Sequence, residues 1–112
     1  MPAYLIACLT VTDPARMAEY GPAAAVTVAA HGGVYRARGG ETQLLEGEAP
    51  TDRIVVVEFP SLDAARRWYG SPEYAPLKAM RQGASCGPFL FTETLDPDVS
   101  RALAASHVSA DR

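Results

Sequence analysis

The sequence predicts an α+β fold: a four-stranded antiparallel sheet with helices on one face, in the order β-α-β-β-α-β. Three observations carry this. Ala3–Val11, Arg53–Phe59 and residues 88–94 are separate runs rich in β-branched, aliphatic and aromatic residues, as strands are. Two stretches between them open on a capping residue followed by proline, Asp13-Pro14 and Ser71-Pro72, the usual start of a helix. A chain of 112 residues also has room for only one core.

In Ala3–Val11 both alternating sets of residues are apolar, Tyr4, Ile6 and Cys8 on one and Leu5, Ala7 and Leu9 on the other. After Asp13 a helix is expected to about residue 30, because Met17, Tyr20, Ala24, Thr27 and His31 recur at three- and four-residue spacing and share a face. Gly21-Pro22 should kink it or split it in two, and Gly32-Gly33 should end it. Val34–Arg38 alternates as a second strand, the turn Gly39-Gly40-Glu41 follows, residues 42–45 could extend the strand, and 46–52 form a polar loop. Arg53–Phe59 reads as a strand buried on both faces. Ser61 caps a helix to about residue 69, and Ser71-Pro72-Glu73 starts another to about residue 82. Residues 88–94 form the last strand, and 96–112 are a tail or one short helix through Val99 and Leu103.

This order is the ferredoxin-like, split β-α-β arrangement. Residues 1–95 then form the domain and 96–112 a C-terminal appendage. Helices on one face leave the other bare, and an apolar bare face calls for a cover. The expected partner is a second copy of the chain, sheet against sheet.

Composition excludes several classes. A formal charge of -3 and a pI near 5.3 lack the basic footprint of nucleic-acid binding. No apolar run approaches the roughly 20 residues that span a bilayer, and the first residues lack the basic region of a signal peptide. Two cysteines make the reducing cytoplasm the expected location. His31, His107, Cys8 and Cys86 have no metal-ligand spacing, and no phosphate-cradling or dinucleotide motif occurs, so no cofactor is expected. Gly83-Ala84-Ser85-Cys86-Gly87 matches G-x-S-x-G, but it follows a helix and precedes a strand, the reverse of a nucleophile elbow.

Several segments together resemble a known family: Thr12-Asp13-Pro14, the stretch His31-Gly32-Gly33-Val34-Tyr35-Arg36-Ala37-Arg38-Gly39-Gly40, Leu45-Glu46-Gly47, Val57-Glu58-Phe59-Pro60-Ser61, and Trp68-Tyr69-Gly70-Ser71-Pro72-Glu73-Tyr74. The family is domain of unknown function 1330, of the dimeric α+β barrel superfamily, and the resemblance spans about residues 2–95. It implies the fold and a dimer. Superfamily relatives include cofactor-free monooxygenases, polyketide cyclases, muconolactone isomerase, chlorite dismutase and haem-degrading enzymes, so it implies no single reaction. This sequence carries no haem-specific signature.

The candidate chemistry rests on a few polar residues. Arg36 and Arg38, two apart on a strand, are expected on the same sheet face, where a guanidinium could clamp a carboxylate, enolate or phenolate; the alternative is a rim pair with Glu41 or Glu46. Glu58, inside the most apolar strand, could be a general base if buried, or a structural partner of Arg36 or Arg38. His31 could move a proton at neutral pH, or simply complement the end of a helix. Tyr20, Tyr69 and Tyr74 could donate to an oxyanion or pack as core, and Trp68 reads as core. The expected function is a small-molecule enzyme without metal or nucleotide cofactor. It would abstract a proton with Glu58 or His31 and hold an enolate with Arg38 and a tyrosine, with Tyr20, Arg36, Tyr69 and Tyr74 binding substrate. The chemistry would be isomerisation, cyclisation, lactone chemistry or oxygenation. The alternative is a non-catalytic dimer that binds a metabolite or supports another protein.

Overall fold

A computed structural model describes residues 1–48 and 53–105. Its elements are β1 (Ala3–Val11), α1 (Pro14–Ala30), β2 (Val34–Arg38), β3 (Arg53–Phe59), α2 (Leu62–Tyr69), α3 (Ala75–Ala84), β4 (Ser85–Cys86), β5 (Phe89–Glu93) and α4 (Pro97–Ala105). All strand pairs are antiparallel. β2 lies beside β3 and β3 beside β1, while β4 and β5 share the other edge of β1. The fourth strand of the expected sheet is therefore present in two pieces. Gly87 separates them at φ +124°, where a Cβ would fall 2.0 Å from the carbonyl oxygen of Cys8. Only glycine lets the chain pass this close to β1.

The sheet is asymmetric. Leu5, Ala7 and Leu9 of β1 and Val57 and Phe59 of β3 are buried under the helices, with Met17, Tyr20, Ala24 and Val28 of α1 and Trp68 of α2 packed on them. Trp68 centres the core, its ring centroid 4.2 Å from that of Tyr74 and 5.5 Å from that of Phe59. Its indole N–H donates to Thr27 Oγ1 over 2.9 Å, so burial leaves no orphan donor. On the opposite face Tyr4, Ile6, Cys8, Ile54 and Val56 are only half-buried. The expectation that β3 is covered on both faces therefore does not hold within one protomer.

Other boundaries moved for identifiable reasons. α1 runs unbroken through Gly21-Pro22. Pro22 faces solvent, so the carbonyl that loses its N–H partner, four residues back, can be hydrated. α3 starts at Ala75 rather than at residue 71, because Ser71 is occupied by the turn: its hydroxyl donates to the Trp68 carbonyl (2.8 Å) and accepts from the Tyr74 amide (3.2 Å). Residues 42–45 form no strand. Ser85 of the G-x-S-x-G match donates to the Arg81 carbonyl, 2.9 Å away, as a buried helix-end hydroxyl. The tail contains α4, no residue of which is buried. His107 and part of the 46–52 loop lie outside the described residues, and no helix among those described is long and apolar enough to cross a membrane.

Candidate functional site

Strand β2 contains the feature that organises the site. Its register on β3 pairs Tyr35 with Val57 but Ala37 with Val56, leaving Arg36 as an extra, bulged residue. A bulge reverses which side chains face which way along the rest of the strand. Arg36 therefore lies on the open face, where its Nε donates to Glu58 Oε1 over 3.1 Å. Arg38, opposite Val55, faces the helix side of the sheet and stays exposed at its edge. The expectation that the two arginines share a face is thus corrected, and the cause is the single inserted residue.

Under the helices Arg38 meets a narrow apolar cavity of about 40 Å³. Leu5, Ala7 and Leu9 of β1 and Val55 and Val57 of β3 form its floor, and Met17, Tyr20 and Trp68 stand over it. Met17, Gly21, Arg38 and Arg53 also line a wider basin of about 500 Å³, so the cavity opens outward past two guanidinium groups. The inner space holds a few waters, whereas the basin has the size of a small-molecule pocket. Gly21 leaves room for this arrangement. A Cβ at residue 21 would lie 2.6 Å from Arg38 Nη2, so a glycine within α1 lets the guanidinium rest against the helix. Arg38 also lies 5.2 Å from the ring centroid of Tyr35, within cation–π range.

Beside the cavity, the Tyr20 and Tyr74 hydroxyls are 2.6 Å apart, and Arg81 Nη1 donates to Tyr74 over 2.7 Å. Arg81 is buried, lies 3.7 Å from the ring centroid of Phe89, and has no carboxylate ion pair among the described residues. Burial raises the Tyr20 and Tyr74 phenols above their ordinary range, with Arg81 opposing the rise, and burial likewise raises Tyr35. All three therefore keep their protons at neutral pH.

The structure brings only part of the expected set together. Arg38 and Tyr20 line the cavity, and Tyr74 touches it through Tyr20. Arg36 and Glu58 pair on the open face with side chains 54% and 30% exposed. His31 sits past the end of α1, its Nδ1 2.9 Å from the Thr27 carbonyl oxygen, and lines neither the cavity nor the basin. Tyr69 stacks among Trp68, Phe89 and Phe91 with Lys78 over its ring, beside a separate depression. Sequence reading missed Tyr35, Arg53 and Arg81. Only Arg81 had a legible signal: it lies seven residues after Tyr74, two helical turns along the same stripe. Among the described residues no cluster of three or more His, Cys, Asp or Glu is placed to hold a metal ion.

Several solved structures share this architecture. The protein RPA0582 of Rhodopseudomonas palustris, of unknown function, is 19% identical with a TM-score of 0.71, over 86% of this chain and 84% of its own. SnoaB of Streptomyces nogalater, a cofactor-independent oxygenase, is 17% identical with a TM-score of 0.60, over 85% of this chain and 94% of its own. A candidate antibiotic biosynthesis monooxygenase of Caulobacter crescentus CB15 is 18% identical with a TM-score of 0.54, over 85% and 91%. At these identities the likeness establishes the fold. No curated protein matches the chain. Residues 2–95 match the family described as Domain of unknown function (DUF1330), and the chain belongs to that family.

Proposed function

We propose that this chain is a small-molecule enzyme that needs neither metal nor nucleotide and acts on an oxygenated, largely apolar acid. The observation that carries the reading is Arg38, turned by the bulge to the mouth of an apolar cavity and laid against Gly21. The basin takes the body of the ligand, and the apolar cavity takes a small group at its inner end. Arg38 at the mouth supplies paired N–H donors for a carboxylate, enolate or phenolate, and Tyr20 supplies a phenol. The Arg38 guanidinium favours the ionised form of a bound acid, whose proton would pass to solvent at the open basin. The fold shared with a cofactor-independent oxygenase supports chemistry of this class.

One observation favours a second reading. Among the described residues neither the cavity nor the basin is lined by an imidazole or carboxylate, as a dedicated metabolite-binding protein would also present. In either reading we propose a homodimer through the open face of the sheet, supported by its half-exposed aliphatic side chains.

The test is thermal melting of the protein with a library of phenols and aromatic or keto acids. A ligand present at 100 times its Kd stabilises by about 2.7 kcal/mol. The expected shift disappears in Arg38→Ala and survives in Arg36→Ala. A shift that survives in Arg38→Ala removes the proposed site. Consumption of the bound compound then separates the enzyme from the binding protein.

A further inference from the structure

We infer that the buried chain Arg81–Tyr74–Tyr20 makes Tyr20 a hydrogen-bond donor into the cavity, so that the ligand is a keto acid whose carbonyl or enolate oxygen faces Tyr20 and whose carboxylate faces Arg38. The inference rests on the proposed site and specifies its substrate class. Its basis is a proton count. Tyr74 is fully buried, and among the described residues its hydroxyl has two hydrogen-bond partners, Arg81 Nη1 at 2.7 Å and the Tyr20 hydroxyl at 2.6 Å. A guanidinium has donors only, so Tyr74 accepts from Arg81. Among the described residues the Tyr74 proton then has one acceptor within reach, the Tyr20 oxygen, and a buried donor left without an acceptor is costly. Tyr20 therefore accepts from Tyr74, and its own proton is directed elsewhere. Tyr20 is 9% exposed and lines the cavity, which is where an acceptor can enter.

The arrangement is polarised as well as directed. Arg81 is a buried cation facing a ring and phenols rather than a carboxylate. Its charge draws density from the Tyr74 oxygen, which strengthens the donation to Tyr20 and in turn the donation by Tyr20. A polarised neutral donor at an apolar wall suits an oxygen on which negative charge develops. Arg81 and Tyr74 are positioning residues here, and Tyr20 touches the ligand.

Two measurements test this. The first needs no ligand. In protein labelled with 13C at the tyrosine Cζ, deuterium isotope shifts should show a slowly exchanging hydroxyl on Tyr74 and a rapidly exchanging one on Tyr20, with signals assigned from Tyr20→Phe and Tyr74→Phe. Slow exchange at Tyr20 with fast exchange at Tyr74 overturns the inference. The second compares 4-acetylbenzoate with 4-isopropylbenzoate, which share the carboxylate and differ in the ketone oxygen. Wild type should prefer the ketone by about tenfold. Tyr20→Phe should erase that preference, and Tyr74→Phe should reduce it while leaving the affinity for 4-isopropylbenzoate unchanged. Equal wild-type affinities, or equal losses for both probes, overturn the inference and leave the cavity as a binding site. Binding of neither probe overturns the substrate class, and the exchange pattern then decides the proton direction alone.

Discussion

The two faces of one sheet are built from the same strands and have become different materials. Beneath the helices Leu5, Ala7, Leu9, Val57 and Phe59 are nearly sealed from solvent, and the polar groups admitted there include hydrogen-bonded aromatics, the buried Arg81 and, at a cavity mouth, Arg38. On the other face Tyr4, Ile6, Cys8, Ile54 and Val56 alternate with them, half-covered, and the ion pair there is the partly exposed Arg36–Glu58 contact. Strand β2 supplies an arginine to each. Residue type therefore says little about role in this sheet; a side chain acquires its chemistry from the face to which the register assigns it.

The largest expected effect comes from placing one charge on each face in turn. Val57→Asp buries a carboxylate among Leu5, Phe59 and Trp68, at a cost of about 4 kcal/mol, enough to unfold a small domain. Val56→Asp, its neighbour, should leave each protomer folded but shift the proposed homodimer to monomer in light scattering. If both variants melt alike and neither changes mass, the faces do not differ as described.

An alkaline titration probes the helix side alone. Tyr20 and Tyr74 titrate above the unfolded phenol value of about 10. A raised pKa means the folded state holds protons that the unfolded state releases. The associated stability is present below pH 10 and is lost progressively as pH rises further. Each phenol contributes about 1.4 kcal/mol for every tenfold by which folding tightens its hold on the proton. Urea midpoints should fall above pH 10 in wild type and much less in a Tyr20→Phe, Tyr74→Phe double variant. A pH-independent difference between the two would show that the phenols are not held neutral.

Gly21→Ala sharpens the account of Arg38. Alanine within a helix is favoured over glycine by roughly 0.5–1 kcal/mol, yet its Cβ would displace the guanidinium. The expected variant is as stable as wild type or slightly more so, and it loses part of the ligand-induced melting shift. Undiminished binding would place Arg38 elsewhere.

The smallest effect belongs to the bulge. Deleting one residue from a strand ordinarily turns the rest of it inside out. Deletion of Arg36 removes the extra residue itself, so Ala37 stays opposite Val56 and Arg38 opposite Val55. Beyond the lost surface ion pair, worth under about 1 kcal/mol, stability and ligand response should persist. Loss of the ligand response would show that Arg38 depends on Arg36 for its direction.

Much of this molecule was legible along the chain. The runs Ala3–Val11 and Arg53–Phe59, the caps at Asp13 and Ser61, and the spacing from Met17 to Thr27 each express a preference that acts over a few residues, and each appears where periodicity places it. The family motifs between residues 31 and 74 were legible in the same way. Other features depend on residues far apart in sequence. Whether Arg38 faces the cavity is decided by how β2 registers on β3, across a loop, and no local pattern marks Arg36 as the inserted residue. Tyr20 and Tyr74 meet across 54 positions, and Arg81 becomes a buried cation only once α3 packs against α1. Local sequence determined the elements and their order, because backbone preference and hydrophobic period are short-range. The tertiary structure decided which polar groups meet, because side-chain direction in a sheet reverses with a single residue and buried hydrogen bonds require partners that only packing supplies.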